Sequence, residues 1–498
     1  MYYVYAEKKL IPMSSNQLKP ELVFHYFSEI CKIPRPSKKE GKIIAYIIDF
    51  AQKHNLEYRK DDAGNILVRK PASAGYENKQ AVVLQSHLDM VCEKNSDINH
   101  DFNNDPIQTY TDGEWLKAKG TTLGADDGIG IAAQLAILAS SDIEHGPLEC
   151  LFTVDEETGL TGAFEMGSGF FNSKILLNLD SEDEGELFIG CAGGIDTVAT
   201  FAYEPDRVPS DFVAMKLIVK GLLGGHSGDD IDKHRANSIK LINRFLWKGT
   251  QLFDLRLANL DGGNLRNAIP REASAIFTIH KDDKAQLILS FENIRTEIYN
   301  EWRDAEPNLE ITIEDSPLPD FVIDEPTHFD LLNSLYACPH GVIAMSRQLK
   351  GLVETSTNLA SVKFIQDNQI LVTTSQRSAV ESAKHDISNM VESVFRLANA
   401  NIQHSDGYPG WAPNTNSQIL EITKASYKRL FKVEPVVRAI HAGLECGLFL
   451  KKYPELDMIS FGPTIKGAHS PDERLHIPST QKFWDLLLDV LKNIPENK

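Results

Sequence analysis

The sequence predicts an α/β domain built on a mostly parallel sheet and interrupted by an inserted α+β domain. Three observations lead there. Short apolar runs alternate with helix-period stretches over roughly the first 190 residues, as in parallel-sheet folds. From about residue 197 to 400 the texture becomes strands with amphipathic helices between them, and the closing stretch returns to helix, strand, helix. The length, 498 residues, allows about two to three domains at roughly 150 residues each. The layout expected is therefore one domain over 1–195 and 405–498, with a second over 196–404.

Taken in order, Leu22, Phe24, Phe27 and Ile30 repeat at helical spacing, and so do Ile43, Ile44, Ile47 and Ile48. Pro34-Arg35-Pro36-Ser37 separates these two helices, and Ser37 is the expected N-cap of the second. The turn signal at 61–64 precedes a strand at 65–68, and 81–84 is a buried-strand run. A helix follows over 128–139, then strands at 151–154 and 175–179. In the insert, strands are expected at 212–219, 273–280, 310–314 and 369–374. Residues 409–413 read as loop.

Composition excludes several classes. Lys plus Arg number 51 against 70 for Asp plus Glu, a formal charge of −19. Nucleic acid and anionic membranes need a cationic footprint, so neither is an expected partner. The six cysteines form no close CxxC pair, which disfavours a thiolate zinc site and fits a reducing, cytoplasmic setting. Residues 1–20 lack the apolar core of a secretory signal, and no uninterrupted apolar run is long enough to span a bilayer.

Chemistry-bearing side chains collect where predicted strands end. In Ser86-His87-Leu88-Asp89, residues i and i+2 share a strand face, so Asp89 can orient a ligating His87; a structural hydrogen-bonded pair is the plainer account of this motif alone. Asp126 and Asp127 follow a glycine-rich turn into a helix, where either could be an N-cap or a ligand offered to a cleft. Val154-Asp155-Glu156-Glu157 follows an apolar run. Neighbours on an extended chain face opposite ways, so one glutamate could bind metal while the other takes a proton from water. Asp180 ends another apolar strand, and the acidic run 182–184 after it reads as a solvated loop. His469 stands in the loop Gly467-Ala468-His469-Ser470-Pro471. Two histidines and three carboxylates, one of them bridging, would give each of two ions three protein ligands. That donor set suits zinc, with manganese or cobalt as substitutes.

The ordered set His87-x-Asp89, Gly124-x-Asp126-Asp127-Gly128, Asp155-Glu156-Glu157, Asp180 and Ala468-His469-Ser470 resembles the di-zinc exopeptidases that include carnosinase and peptidase T. Ile33-Pro34-Arg35-Pro36-Ser37, residues 221–230 and residues 441–447 are similar to its Xaa-His dipeptidase branch. The resemblance covers almost the whole chain. It implies a zinc-exopeptidase-like catalytic domain interrupted by a lid or dimerisation domain, two zinc ions per chain, dipeptide substrates and a homodimer. It implies His87 and Asp180 as ligands of one zinc, Glu157 and His469 of the other, and Asp126 as the bridge. Glu156 matches the general base and Asp89 the partner of His87. His226 matches a lid histidine at the scissile carbonyl; Asn267 and Arg377 resemble substrate-binding residues, and Gly443 a backbone contact in the catalytic domain. The same site could instead serve a tripeptidase or an N-acyl amino acid deacylase. An inactive binding relative is the rival outside enzymes, and it would be expected to lack a ligand or the base.

Overall fold

A computed structural model describes residues 11–12, 18–441 and 443–497. Most of the first twenty residues, on which the expectation about a secretory signal falls, lie outside the described ones. The chain divides into two compact units, 1–190 with 413–439 and 445–498, and 191–412 with 440–444. Where the sequence suggested an insert over 196–404, the second unit spans 191–412 and also takes the short segment containing His441 and Gly443. No described helix is long and apolar enough to cross a membrane.

The first unit is organised by an eight-stranded sheet. Its order is Glu57–Lys60, Ile66–Lys70, Leu148–Thr153, Val82–His87, Ile175–Asn178, Asp457–Ser460, Glu186–Cys191, Val436–Ile440. The middle four strands pair in parallel. Antiparallel pairs flank them, so the parallel character predicted from the apolar runs belongs to the sheet centre. Val82–His87 is buried along its whole length, as a strand covered on both faces must be. The helix Ala125–Ala139 is buried nearly all round, which explains its near-continuous apolar sequence. The helix Glu21–Ile30 packs against it, burying Phe24, Phe27 and Ile30. Because the central strands run the same way, their carboxyl ends reach one edge of the sheet together, where open α/β folds bind ligands.

The second unit is a sheet of nine antiparallel strands, its central members Ala273–His280, Arg256–Gly262, Val353–Ile365, Gln369–Ser378 and Gly193–Ala202. The helices Ser238–Leu252, Lys284–Trp302, Glu325–Ala337 and Glu381–Leu397 close one apolar core with it. This is the two-layer α+β arrangement the sequence pattern predicts, with all four expected strands present.

One local expectation changes, and one open alternative is decided. Ser37 does not cap the second helix, which begins at Gly41 after Glu40. Its hydroxyl donates instead to Asp89 Oδ2 at 2.8 Å, so it serves the strand-end motif. Between the glycine-rich turn and the third helix, Asp126 and Asp127 keep non-helical backbone angles. Asp127 Oδ1 accepts from Gly130 N at 3.1 Å and is the cap. That leaves Asp126 free for other work. Gly124 precedes them at φ +68°, and a Cβ there would stand 2.7 Å from an Arg35 guanidinium nitrogen. Gly124→Ala is expected to cost about 1–3 kcal/mol, read as a lower unfolding midpoint in urea.

Candidate active site

Parallel strand ends deliver the site. His87 closes Val82–His87; Glu156 and Glu157 follow Leu148–Thr153; Asp180 lies two residues past Ile175–Asn178. Asp126 comes from the turn before the third helix, and His469 from the loop between Ile465–Lys466 and Arg474–His476. All six belong to the first unit.

Asp126 is the centre. Its Oδ1 lies 3.1 Å from His87 Nε2, and its Oδ2 lies 3.2 Å from His469 Nε2. His87 Nε2 also faces Asp180 Oδ1 at 3.5 Å, and His469 Nε2 faces Glu157 Oε2 at 3.0 Å. Two clusters result, His87, Asp126, Asp180 and Asp126, Glu157, His469, each with donor atoms within 4.8 Å of one another. Glu156 joins His87 and Glu157 in a third such group.

These spacings fit metal ions. One imidazole N–H cannot point along its axis at two carboxylates, yet each Nε2 here faces two. Ligands about 2.0–2.1 Å from a tetrahedral ion lie about 3.3 Å apart, the separation seen between these donors. Glu157 Oε1 is buried without a hydrogen-bond partner among the described residues. Charge agrees with distance. Burial, then the nearby carboxylates, push Asp180 up to about 7 and Glu182 up to about 8. Burial leads again at Glu156, whose carboxyl is raised well above its usual range by Asp180, Glu157 and Glu445, with His87 opposing. His469 is held up to about 11 by hydrogen bonds to Asp126 and Glu157, against burial. So many crowded acids are matched by a divalent cation. The donors, imidazole and carboxylate without thiolate, suit zinc, manganese or cobalt.

Supporting residues fix these groups. Asp89 Oδ1 lies 3.4 Å from His87 Nδ1. The same carboxylate accepts from the backbone of Glu156 and Glu157 at 3.0 and 3.2 Å, so it ties the Glu156–Glu157 turn to the histidine. Glu156 and Glu157 sit on a short helical turn, not on extended chain. Their divergence is therefore the roughly 100° step of a helix, and the expected strand alternation does not apply.

Three acids escaped sequence reasoning. Glu473 is 2% exposed and accepts from the backbone N–H of Leu123, Gly124, Ala125 and Asp126, pinning the His469 loop to the Asp126 turn. Its sequence signal was its place four residues after His469. Glu445 lies beneath the strand ends, where Oε2 accepts from Gln85 Nε2 at 2.6 Å and Thr153 Oγ1 at 2.7 Å; burial pushes it up to about 8. Glu182 belongs to the run read as a solvated loop. That run is partly buried: Glu182 feels Asp126 and Asp180, and Glu184 accepts from Tyr427 at 2.8 Å.

The remaining predicted residues belong to the second unit. His226 pairs with Ala268 in a two-residue ribbon, which sets it beside Asn267. Asn358 donates to the carbonyls of Arg266 and Ala268 and holds that loop from behind, leaving Asn267 exposed. His226 Nδ1 lies 3.2 Å from Asp229 N and 3.3 Å from Asp229 Oδ2. Arg377 is buried and makes no side-chain hydrogen bond or ion pair among the described residues; its Nε is unpartnered. Gly443, expected in the catalytic domain, groups with this unit.

A sequence model of Peptidase family M20/M25/M40 matches residues 83–493. The chain belongs to that family. It is therefore a metal-dependent peptidase, against the rival reading as an inactive relative. It is 46% identical to the cytosol non-specific dipeptidase of Escherichia coli over 96% of this chain and 99% of that protein. Aminoacylhistidine dipeptidase from Vibrio alginolyticus has a structure that superposes with a TM-score of 0.91 at 45% identity, covering 98% and 99% of the two chains. A Staphylococcus aureus tripeptidase shares the fold, with a TM-score of 0.56 at 15% identity over 96% of this chain and 99% of that one.

Two donor clusters sharing Asp126 lead to a metal count. Titration of metal-stripped protein should saturate at about two ions per chain, and His469→Ala at about one. Saturation of the unaltered protein at one ion would remove the bridge from Asp126.

Proposed function

We propose that this chain hydrolyses dipeptides, Xaa-His dipeptides among them, at a two-zinc site with Glu156 as general base. One observation carries the reading: Asp126 presents one oxygen to each of two histidines, each completed by a further carboxylate. The dipeptidase names of the relatives from Escherichia coli and Vibrio alginolyticus support the substrate class.

His87 and Asp180 would hold one ion, Glu157 and His469 the other, with Asp126 between them. Ions bound there would polarise the scissile carbonyl and lower the pKa of water toward neutrality. Glu156 takes the proton as water attacks and passes it to the leaving amine. Asp89 keeps His87 in its ligating orientation and fixes the turn that carries Glu156. His226, beside Asn267 on its ribbon, is suited to donate to a developing oxyanion. The unpaired guanidinium of Arg377 suits the peptide's terminal carboxylate, which it can grip with two parallel hydrogen bonds. Asn267 and Gly443 bind the peptide's polar backbone.

A homodimer is part of this proposal. So is a cytoplasmic location, supported by the name of the Escherichia coli relative and by six free cysteines.

Metal-stripped protein, given back zinc, manganese or cobalt, should cleave Xaa-His and other dipeptides in preference to tripeptides and N-acyl amino acids. A preference for either of the latter would overturn the substrate assignment. Glu156→Gln should keep its metal while kcat falls by roughly 10²–10⁴-fold. Near-normal turnover in that variant would remove Glu156 from the base role.

A further inference from the structure

Within the second unit, one buried imidazole has an unanswered polar atom. His441 is 6% exposed, and its Nε2 lies 2.7 Å from Ser356 Oγ. Its Nδ1 has no hydrogen-bond partner among the described residues, while Arg377, Asp229, the Val353 backbone and His226 all act on the ring. A buried ring nitrogen left this way forfeits its hydrogen bond to water, so it calls for a partner.

The surroundings indicate which partner. Ser356 is the direct cross-strand neighbour of Arg377, and residues directly opposite each other in an antiparallel pair share a sheet face. His441 therefore stands next to Arg377, which is 8% exposed and has an unpartnered Nε. Asp229, the acid that senses Arg377, is already engaged by His226, 3.3 Å away. The His226 turn reaches the same place: a Cβ on Gly228 would stand 2.3 Å from the His441 carbonyl oxygen, so only glycine permits this approach. Burial first, and Arg377 next, hold the His441 ring neutral, pushed down to about 3. One buried cation and one neutral ring, both unanswered on one face, match an anion with two acceptor oxygens.

We propose that His441 is a further substrate-binding residue, donating through Nδ1–H to the C-terminal carboxylate that Arg377 binds. Ser356, by donating to Nε2, selects the tautomer that leaves the proton on Nδ1. The proposal rests on the dipeptide reading above and adds a second donor to the carboxylate end.

The test compares a dipeptide with its C-terminal amide on metal-loaded protein. His441→Leu should lower kcat/KM for the free acid by about 10- to 100-fold, mostly through KM, and for the amide by less than about threefold. Equal losses on both substrates, or none, would overturn the proposal. Should the leucine variant fail to fold, protein carrying ¹⁵N-histidine decides: a product amino acid, but not its amide, should shift the His441 Nδ1 resonance, and the absence of that shift overturns the assignment. Unaltered protein that cleaves no dipeptide counts against the activity reading instead, and the resonance measurement still decides His441.

Discussion

One carboxylate shared between two imidazoles is the interaction around which the first unit is arranged. Asp126 can divide itself this way because Asp127, its neighbour, does the capping that the helix start demands. Glu473 then accepts from the N–H groups of the turn that the helix leaves without partners, so the Asp126 side chain is not drawn back onto its own backbone. Arg35 adds a clamp from below, donating to the carbonyls of Leu88, Asp89 and Gly124, which locks the His87 strand end to the same turn.

The arrangement carries an electrostatic cost that the fold accepts. A layer of Gln85, Asn178, Thr153 and Glu445 lies fully buried beneath the His87–Asp180 cluster, each tied to another by hydrogen bonds. Such networks cost stability unless satisfied, and they hold a geometry more stiffly than apolar packing does. Above them burial, and after it repulsion between the acids, raises Asp180 and Glu182 far from ordinary carboxylate behaviour. Bound cations relieve that repulsion, so the site stores in its charge pattern a demand for metal.

Much of this was readable before any coordinates. Alternating apolar runs predicted the parallel centre, and the i, i+2 spacing placed His87 and Asp89 on one face, as the structure has them. The local rule used for Glu156 and Glu157 was wrong because the chain turns helical after Thr153, yet both still reach the site. What stayed hidden depends on contacts between distant segments. Glu473 meets the backbone of Leu123 across 350 positions, and Glu445 meets Gln85 across 360. No periodicity encodes such meetings. Ser37 illustrates the same limit at short range: its place before a helix suggested a cap, but Asp89 offered a buried carboxylate and took it.

The most direct test is anomalous X-ray scattering from crystals of the metal-loaded protein. Two peaks are expected on either side of Asp126, one in contact with His87 and Asp180, the other with Glu157 and His469. A single peak, or a pair in which Asp126 touches neither ion, would contradict the account.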